Sequence, residues 1–360
     1  MARVALENVA KRFGKTVAVD NLNLEIGDGE LVCLLGPSGS GKTTTLRMIA
    51  GLDTPDQGRI YIDDKVVNDV PPSDRDIAMV FQFPVIYPGT TAQDNLEFPL
   101  KQRGYRDQDI KKRVEEIAEI LKIRPILRQA GADLNISERQ RVALGRALVR
   151  KPKVLLLDEA LTNLDTPLKL MMIAELKKLH EDLRQTTIYV THDQSEAMMM
   201  ADRIAVFNLG VCQQYDTPES LYGDPNNLFV AGFVGSPPMN FLECKFDART
   251  SRVLGRANLQ IDVSRCRDAL EQRLKGPEVI LGVRPEHISV HEACGVKDHV
   301  KATVDVAEFV GDYLSLDVQV DGKTVKVLSP SGAEIEPGQQ VCIQFERFHL
   351  FDKQTEEMIG

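Results

Sequence analysis

The octapeptide Gly36-Pro37-Ser38-Gly39-Ser40-Gly41-Lys42-Thr43 limits what this chain can fold into more than any other stretch. It fits G-x-x-x-x-G-K-[ST], a glycine-rich loop whose backbone amides cradle a phosphate. Its flanks suit that reading. Residues 31–35 before it are all apolar, as a buried parallel strand requires. Residues 43–50 after it read as a helix that Gly51 can end. A bound phosphate would meet the unpaired amides and positive dipole end of that helix. Lys42 is expected to reach the β- and γ-phosphates and the Thr43 hydroxyl to bind Mg²⁺, with Thr44 completing the phosphate-binding set. A chance Gly/Ser turn would match these four fixed positions roughly one time in a hundred in a chain this long.

At 360 residues the chain has room for two domains. A formal charge of −9 argues against a general nucleic-acid binder, which is usually basic. The six cysteines (Cys33, Cys212, Cys244, Cys266, Cys294, Cys342) are scattered, without a C-x-x-C pair. That spacing leads us to expect reduced thiols in a cytosol rather than disulfides or a zinc site. No apolar run approaches the ~20 residues of a membrane span, and the start of the chain lacks the apolar core of a signal peptide. Membrane work is therefore expected to pass through a partner.

Short strands are expected at 3–7, 17–19 and 22–26, with turns at Gly14-Lys15 and Gly27-Asp28-Gly29. Phe13, in the first turn, would either stack on a purine ring or simply pack the turn. Residues 58–62 and 77–81 read as strands, and 91–150 turn helical, with Ile110, Val114, Ile117, Ile120 and Leu121 at helical spacing. Residues 154–157 are a buried strand running into Asp158 and Glu159. A helix at 166–184 and strands at 187–190 and 204–207 follow. Strands alternating with helices specify an open α/β sheet that binds ligands at the carboxyl ends of its strands.

Composition shifts at Gly235-Ser236-Pro237-Pro238. Beyond it, short strands at 279–283, 302–307, 314–320, 325–328 and 341–345 suggest a small β-barrel. That part has 15 basic and 20 acidic residues, so nucleic acid is not its expected ligand.

An apolar strand ending in Asp158 suits the second half of a phosphate-loop ATPase, with Asp158 on Mg²⁺ directly or through water. Glu159 is then placed to act as general base on the attacking water. Gln82, after the strand at 77–81, could reach Mg²⁺ and that water. His192, after a strand and a threonine, could hydrogen-bond the γ-phosphate.

Taken in this order, the residues resemble the ATP-binding cassette of ABC transporters over nearly the whole chain. Residues 36–43 match its Walker A loop, Gln82 its Q-loop, and Leu157-Asp158-Glu159 the end of Walker B. Asn163-Leu164-Asp165 matches the D-loop. The switch-histidine region is matched by residues 190–194 with Glu196-Ala197. Residues 141–148 match the helix after the family signature. Phe13 falls where the family's adenine-stacking aromatic lies. Residues 233–241 and Gly282-Val283-Arg284-Pro285-Glu286-His287 look like ATPase subunits of carbohydrate importers of the maltose and glycerol-phosphate type.

The resemblance implies an ATP-binding domain over 1–235, with a helical subdomain at about 88–152. An OB-like all-β domain over 236–360 would regulate and help dimerise the pair. It also implies ATP and Mg²⁺, two transmembrane permeases docked near Gln82 and Phe83-Pro84-Val85-Ile86-Tyr87-Pro88, and an extracytoplasmic solute-binding protein. The chain would lie peripherally on the cytoplasmic face of the inner membrane and power import of a sugar, a polyol such as glycerol, or a related solute.

One departure stands out. The family signature is Leu-Ser-Gly-Gly-Gln, and without a gap this chain has Leu134-Asn135-Ile136-Ser137-Glu138. A second register, residues 136–140, needs a two-residue deletion, and neither register restores the glycines. Ala160 replaces the usual proline after the glutamate, a smaller change. The Walker half is complete, so a second, non-identical ATPase partner is favoured. A homodimer, or a regulatory subunit with little turnover, stays open.

Overall fold

The structure is a computed structural model that describes residues 2–256, 259–291, 294, 299–332 and 335–360. The chain divides into two compact units, Met1–Pro218 and Glu219–Gly360.

In the first unit the apolar run forms the strand Leu31–Leu35, buried at every residue. It lies inside a six-stranded sheet. The order is Val211–Asp216, Arg203–Asn208, Leu31–Leu35, Thr186–Thr191, Val154–Asp158, Ile77–Val80. The last five run parallel, and Val211–Asp216 pairs antiparallel at the edge. The carboxyl ends of Leu31–Leu35, Val154–Asp158 and Thr186–Thr191 therefore come out on one side, next to the phosphate loop.

The amino-terminal strands are longer than the sequence suggests. Val4–Phe13 and Thr16–Ile26 form one hairpin with irregularities after Leu6, Val9 and Lys11, joined by Gln57–Ile62 and Lys65–Val66 in a separate antiparallel sheet. The irregularities break the two-residue alternation, which is why the pattern read as shorter pieces. Both sheets share a core. Leu46, Met48 and Ile49 of the helix Lys42–Ala50 pack there with Val4, Leu6, Val32, Leu34, Leu156 and Val190. Burying each such side chain contributes about 1.5–3 kcal/mol, so the helix that carries the phosphate loop is held from below.

The helical stretch resolves into Ala92–Gln102, Asp107–Ile120 and Ile136–Leu148. Ile110, Val114, Ile117 and Leu121 are buried along one face, as their spacing requires. At Gly145 a Cβ would lie 2.4 Å from Leu96 Cδ2, so the Leu96 side chain would have to shift to admit one.

The second unit contains two five-stranded sheets. One orders Gln260–Asp262, Arg252–Leu254, Asn240–Asp247, Glu278–Val283 and His349–Asp352; the other orders Ile288–His291, Gln340–Phe345, Val300–Val310, Tyr313–Val320 and Lys323–Pro330. Both pack into one apolar core, including Leu242, Leu281, Leu316, Val327 and Ile343. Residues 219–234 belong to this unit. The Arg284 guanidinium donates to Tyr222 O and Val234 O, and Leu228 N donates to Glu356 O. The composition shift at Gly235-Ser236-Pro237-Pro238 thus lies inside the second unit.

The expectation of free thiols throughout is corrected. Cys294 and Cys342 form a disulfide, with Cα atoms 5.5 Å apart. The pairing of His291 with Cys342 across two strands brings Cys294 over its partner, a proximity that 48 residues of separation conceal. Cys33, Cys212, Cys244 and Cys266 are free. Among the described residues no helix is long and apolar enough to cross a membrane.

Candidate active site

The phosphate loop is shaped by what crowds it. A Cβ on Gly36 would lie 2.3 Å from Phe207 O, and one on Gly41 2.3 Å from Ala18 O. Gly41 also has φ 103°, a backbone that other residues avoid. Pro37, Ser38 and Gly39 are exposed at the crest, whereas Ser40 is buried and Thr44 half-buried. The helix Lys42–Ala50 has no side-chain cap at its start. Helices Ala92–Gln102, Ile136–Leu148 and Gln194–Met200 are all capped by side chains. First-turn amides without a side-chain acceptor beside an exposed glycine crest fit a polyphosphate.

Lys42 lies along the inside of the loop. Its Nζ donates to Gly36 O and Pro37 O, both at 2.8 Å. Burial pushes its pKa down, against the opposing pull of Glu159 and Asp158. Thr43 Oγ1 donates to Asp158 Oδ1 at 3.0 Å, across 115 residues of sequence. Burial raises the Asp158 pKa, and the Thr43 hydroxyl opposes the rise. A hydroxyl and a buried carboxylate facing each other beside an anion-binding loop are hard oxygen donors of the kind Mg²⁺ takes.

Glu159 follows with φ 47°, its amide held by Val190 O at 2.9 Å. This left-handed turn carries the chain off the sheet end. Gln82 Nε2 donates to Glu159 Oε2 at 2.8 Å, and His192 Nδ1 lies 3.2 Å from Glu159 Oε1. Of the three side chains expected around a metal, the structure brings Thr43 and Asp158 together and ties Gln82 to Glu159 instead. Asn163 Nδ2 donates to Gln82 O at 2.9 Å, so the segment after Glu159 also holds the loop that carries Gln82.

Phe13 ends the first hairpin strand, paired with Thr16, and the residue is 51% exposed. Lys11 Nζ lies 5.4 Å from the ring centroid. The same hairpin supplies Ala18, the residue that crowds Gly41. An open aromatic face on the hairpin that abuts the phosphate loop suits a purine ring.

The altered signature has a structure of its own. Asn135 is the N-cap of Ile136–Leu148. Its Oδ1 accepts the Glu138 amide at 2.9 Å, and Glu138 Oε2 accepts the Asn135 amide at 2.9 Å. The helix start is thus closed on itself by a capping box. Ile136 stands out from it, 53% exposed.

Sequence reasoning passed over Lys169 and Tyr189, which hold the segment around His192 through Glu196. A carboxylate four residues after a histidine was the signal available, but neither its burial nor its partners.

Comparison with known proteins identifies the family. Residues 19–162 match the ABC transporter family, 235–288 the MalK OB fold domain and 281–351 the TOBE domain. The chain is 47% identical to the trehalose/maltose import ATP-binding protein MalK of Thermococcus litoralis, over all of both chains. It is 44% identical, again over the full length of both, to the oligosaccharides import ATP-binding protein MsmX of Bacillus subtilis. Among solved structures, the ATP-binding cassette MJ0796, as a post-hydrolysis dimer bound to ADP and Pi, aligns with TM-score 0.55 and 34% identity. That alignment covers 60% of this chain and 98% of that one.

Proposed function

The chain belongs to the ABC transporter family of import ATP-binding proteins, and on that footing we propose that it powers uptake of a sugar, a polyol such as glycerol, or a related small solute. It hydrolyses ATP to ADP and phosphate. The observation that carries the reading is the convergence of Thr43, Asp158, Gln82, Glu159 and His192 on one phosphate loop.

In this reading the loop amides and Lys42 hold the phosphates, and Phe13 stacks on adenine. Thr43 and Asp158 would hold Mg²⁺, joined by Gln82 once it leaves Glu159. Held there, the ion would supply neutralisation of charge on the phosphoryl oxygens. Glu159 takes the proton of the attacking water, and His192 donates a hydrogen bond to the γ-phosphate. Both oxygens of Glu159 are engaged by Gln82 and His192 in this structure, so nucleotide has to draw these side chains away before the base is free.

We place the chain on the cytoplasmic face of the inner membrane, docked on two permeases. A groove of about 390 Å³ lined by Phe81, Val85, Phe98, Pro99, Arg146 and Arg150 supports a helical segment as occupant. An extracytoplasmic binding protein and the permeases would select the solute.

The self-capped signature helix supports a second, non-identical ATPase partner. In the family, signature glycines let a helix start approach the γ-phosphate across a dimer. Here Asn135 and Glu138 occupy each other's amides, and Glu138 brings a carboxylate towards a polyphosphate. A partner with an intact Leu-Ser-Gly-Gly-Gln would serve this chain's Glu159. The test is to purify the intact transporter, resolve its ATPase chains by intact mass and measure solute-stimulated hydrolysis. Two distinct chains support the pairing. This chain alone, present twice with full coupled activity, overturns it.

A further inference from the structure

Glu196 is a carboxylate only 2% exposed, in the helix Gln194–Met200 just after His192. A charge at that depth is tolerated only when its oxygens are paired, and here both are. Oε2 accepts from Tyr189 Oη and, at 2.7 Å, from Thr191 Oγ1. Oε1 faces Lys169 Nζ at 2.9 Å.

The same groups pin the backbone on either side of His192. The Asp193 amide donates to Thr191 Oγ1 at 3.0 Å. Asp193 Oδ1 accepts from the amides of Ser195 at 2.9 Å and Glu196 at 3.3 Å, and its Oδ2 lies 3.3 Å from Lys169 Nζ. His192 is exposed between two fixed neighbours and turns its ring to Glu159. Lys169 comes from Thr166–Leu183, the helix that follows Asn163, and Asn163 holds the Gln82 carbonyl. One buried carboxylate therefore joins the histidine loop to the helix behind the Glu159 segment.

We propose that Glu196 is a positioning residue for ATP hydrolysis, setting through Thr191, Asp193 and Lys169 where His192 presents its ring to Glu159 and the γ-phosphate. The proposal rests on the role given to His192 above. Misplacing a reacting group by about 1 Å can cost as much as a hundredfold in rate. A carboxylate that merely supported the fold would lower stability without separating kcat from KM.

The test is a double-mutant cycle in the assembled transporter with its permeases and partner ATPase. Glu196→Gln keeps the shape but loses the charge that holds Lys169. It is expected to lower kcat about tenfold, with KM for ATP within about twofold of the parent. His192→Ala should lower kcat at least as far, and adding Glu196→Gln to it should change kcat less than about twofold, since both act through one group. Thr191→Val and Lys169→Met, which leave Glu196 in place, should follow the same non-additive pattern and serve if Glu196→Gln does not fold. Independent multiplicative losses, or a rise in KM at constant kcat, overturn the positioning role. An undiminished kcat in His192→Ala overturns the role of His192 itself, and is thereby distinguishable from failure of the positioning role alone.

Discussion

The amide of Gln82 donates to Glu159 Oε2 at 2.8 Å while His192 Nδ1 stands 3.2 Å from the other oxygen. The proposed base is thus shared by two loops, one after the strand Ile77–Val80 and one after Thr186–Thr191. Anything that moves either loop changes how free the base is.

Glu159→Gln should leave ATP affinity unchanged and reduce hydrolysis by about a hundredfold or more, because the amide keeps the shape and can still accept from Gln82 but cannot take a proton. Equilibrium binding of labelled ATP beside steady-state turnover in the assembled transporter checks this. Turnover equal to the parent would remove Glu159 from the role of base.

Phe13→Ala should weaken ATP binding by roughly tenfold, the loss of an aromatic stack worth about 1–1.5 kcal/mol. Phe13→Tyr should restore it. Titration of the intact protein with a fluorescent ATP analogue reads both. Equal affinity in Phe13→Ala would show that Phe13 only packs the turn.

Arg284 is 1% exposed, donates to Tyr222 O and Val234 O, and lies 3.6 Å from the Tyr222 ring centroid. Burial, with Arg347 nearby, brings its pKa down to about 10. Arg284→Met should cost on the order of 3 kcal/mol, since two buried carbonyls lose their donor. Arg284→Lys should rescue little of it, because an ammonium cannot span both carbonyls as the fork does. Denaturant unfolding followed by circular dichroism measures the difference.

His349 in the second unit has its pKa lowered to about 4, first by burial and then by Arg347 and Arg284. Unfolded, it would titrate near 6.5. Between those values the unfolded chain binds the proton and the folded one does not, so stability rises with pH. The contribution is complete above pH ~6.5 and is lost as pH falls towards ~4, on the order of 2 kcal/mol after partial screening. Calorimetric Tm against pH should therefore be flatter across this window in His349→Gln than in the parent. Parallel curves would place the acid sensitivity elsewhere.

The sequence by itself determined what depends on neighbours along the chain. Residues 36–43 specify a phosphate loop because the strand before it, its glycines and the helix after it all lie within about twenty positions. Ile110, Val114 and Ile117 specify a helix face by spacing alone. The acidic ends of apolar strands pointed to Asp158 and Glu159 for the same local reason. Tertiary structure decided what depends on distant partners. Thr43 meets Asp158 across 115 residues, and Gln82 meets Glu159 across 77. The pairing of Cys294 with Cys342 likewise comes from strand register, which no spacing rule states. Glu196 reads in sequence as part of the switch-histidine region, with nothing to say that it is buried or what holds it. Only the packing of Thr166–Leu183 and Thr186–Thr191 around it puts Lys169, Tyr189 and Thr191 on its oxygens, because a buried charge is stable only where the fold supplies its partners.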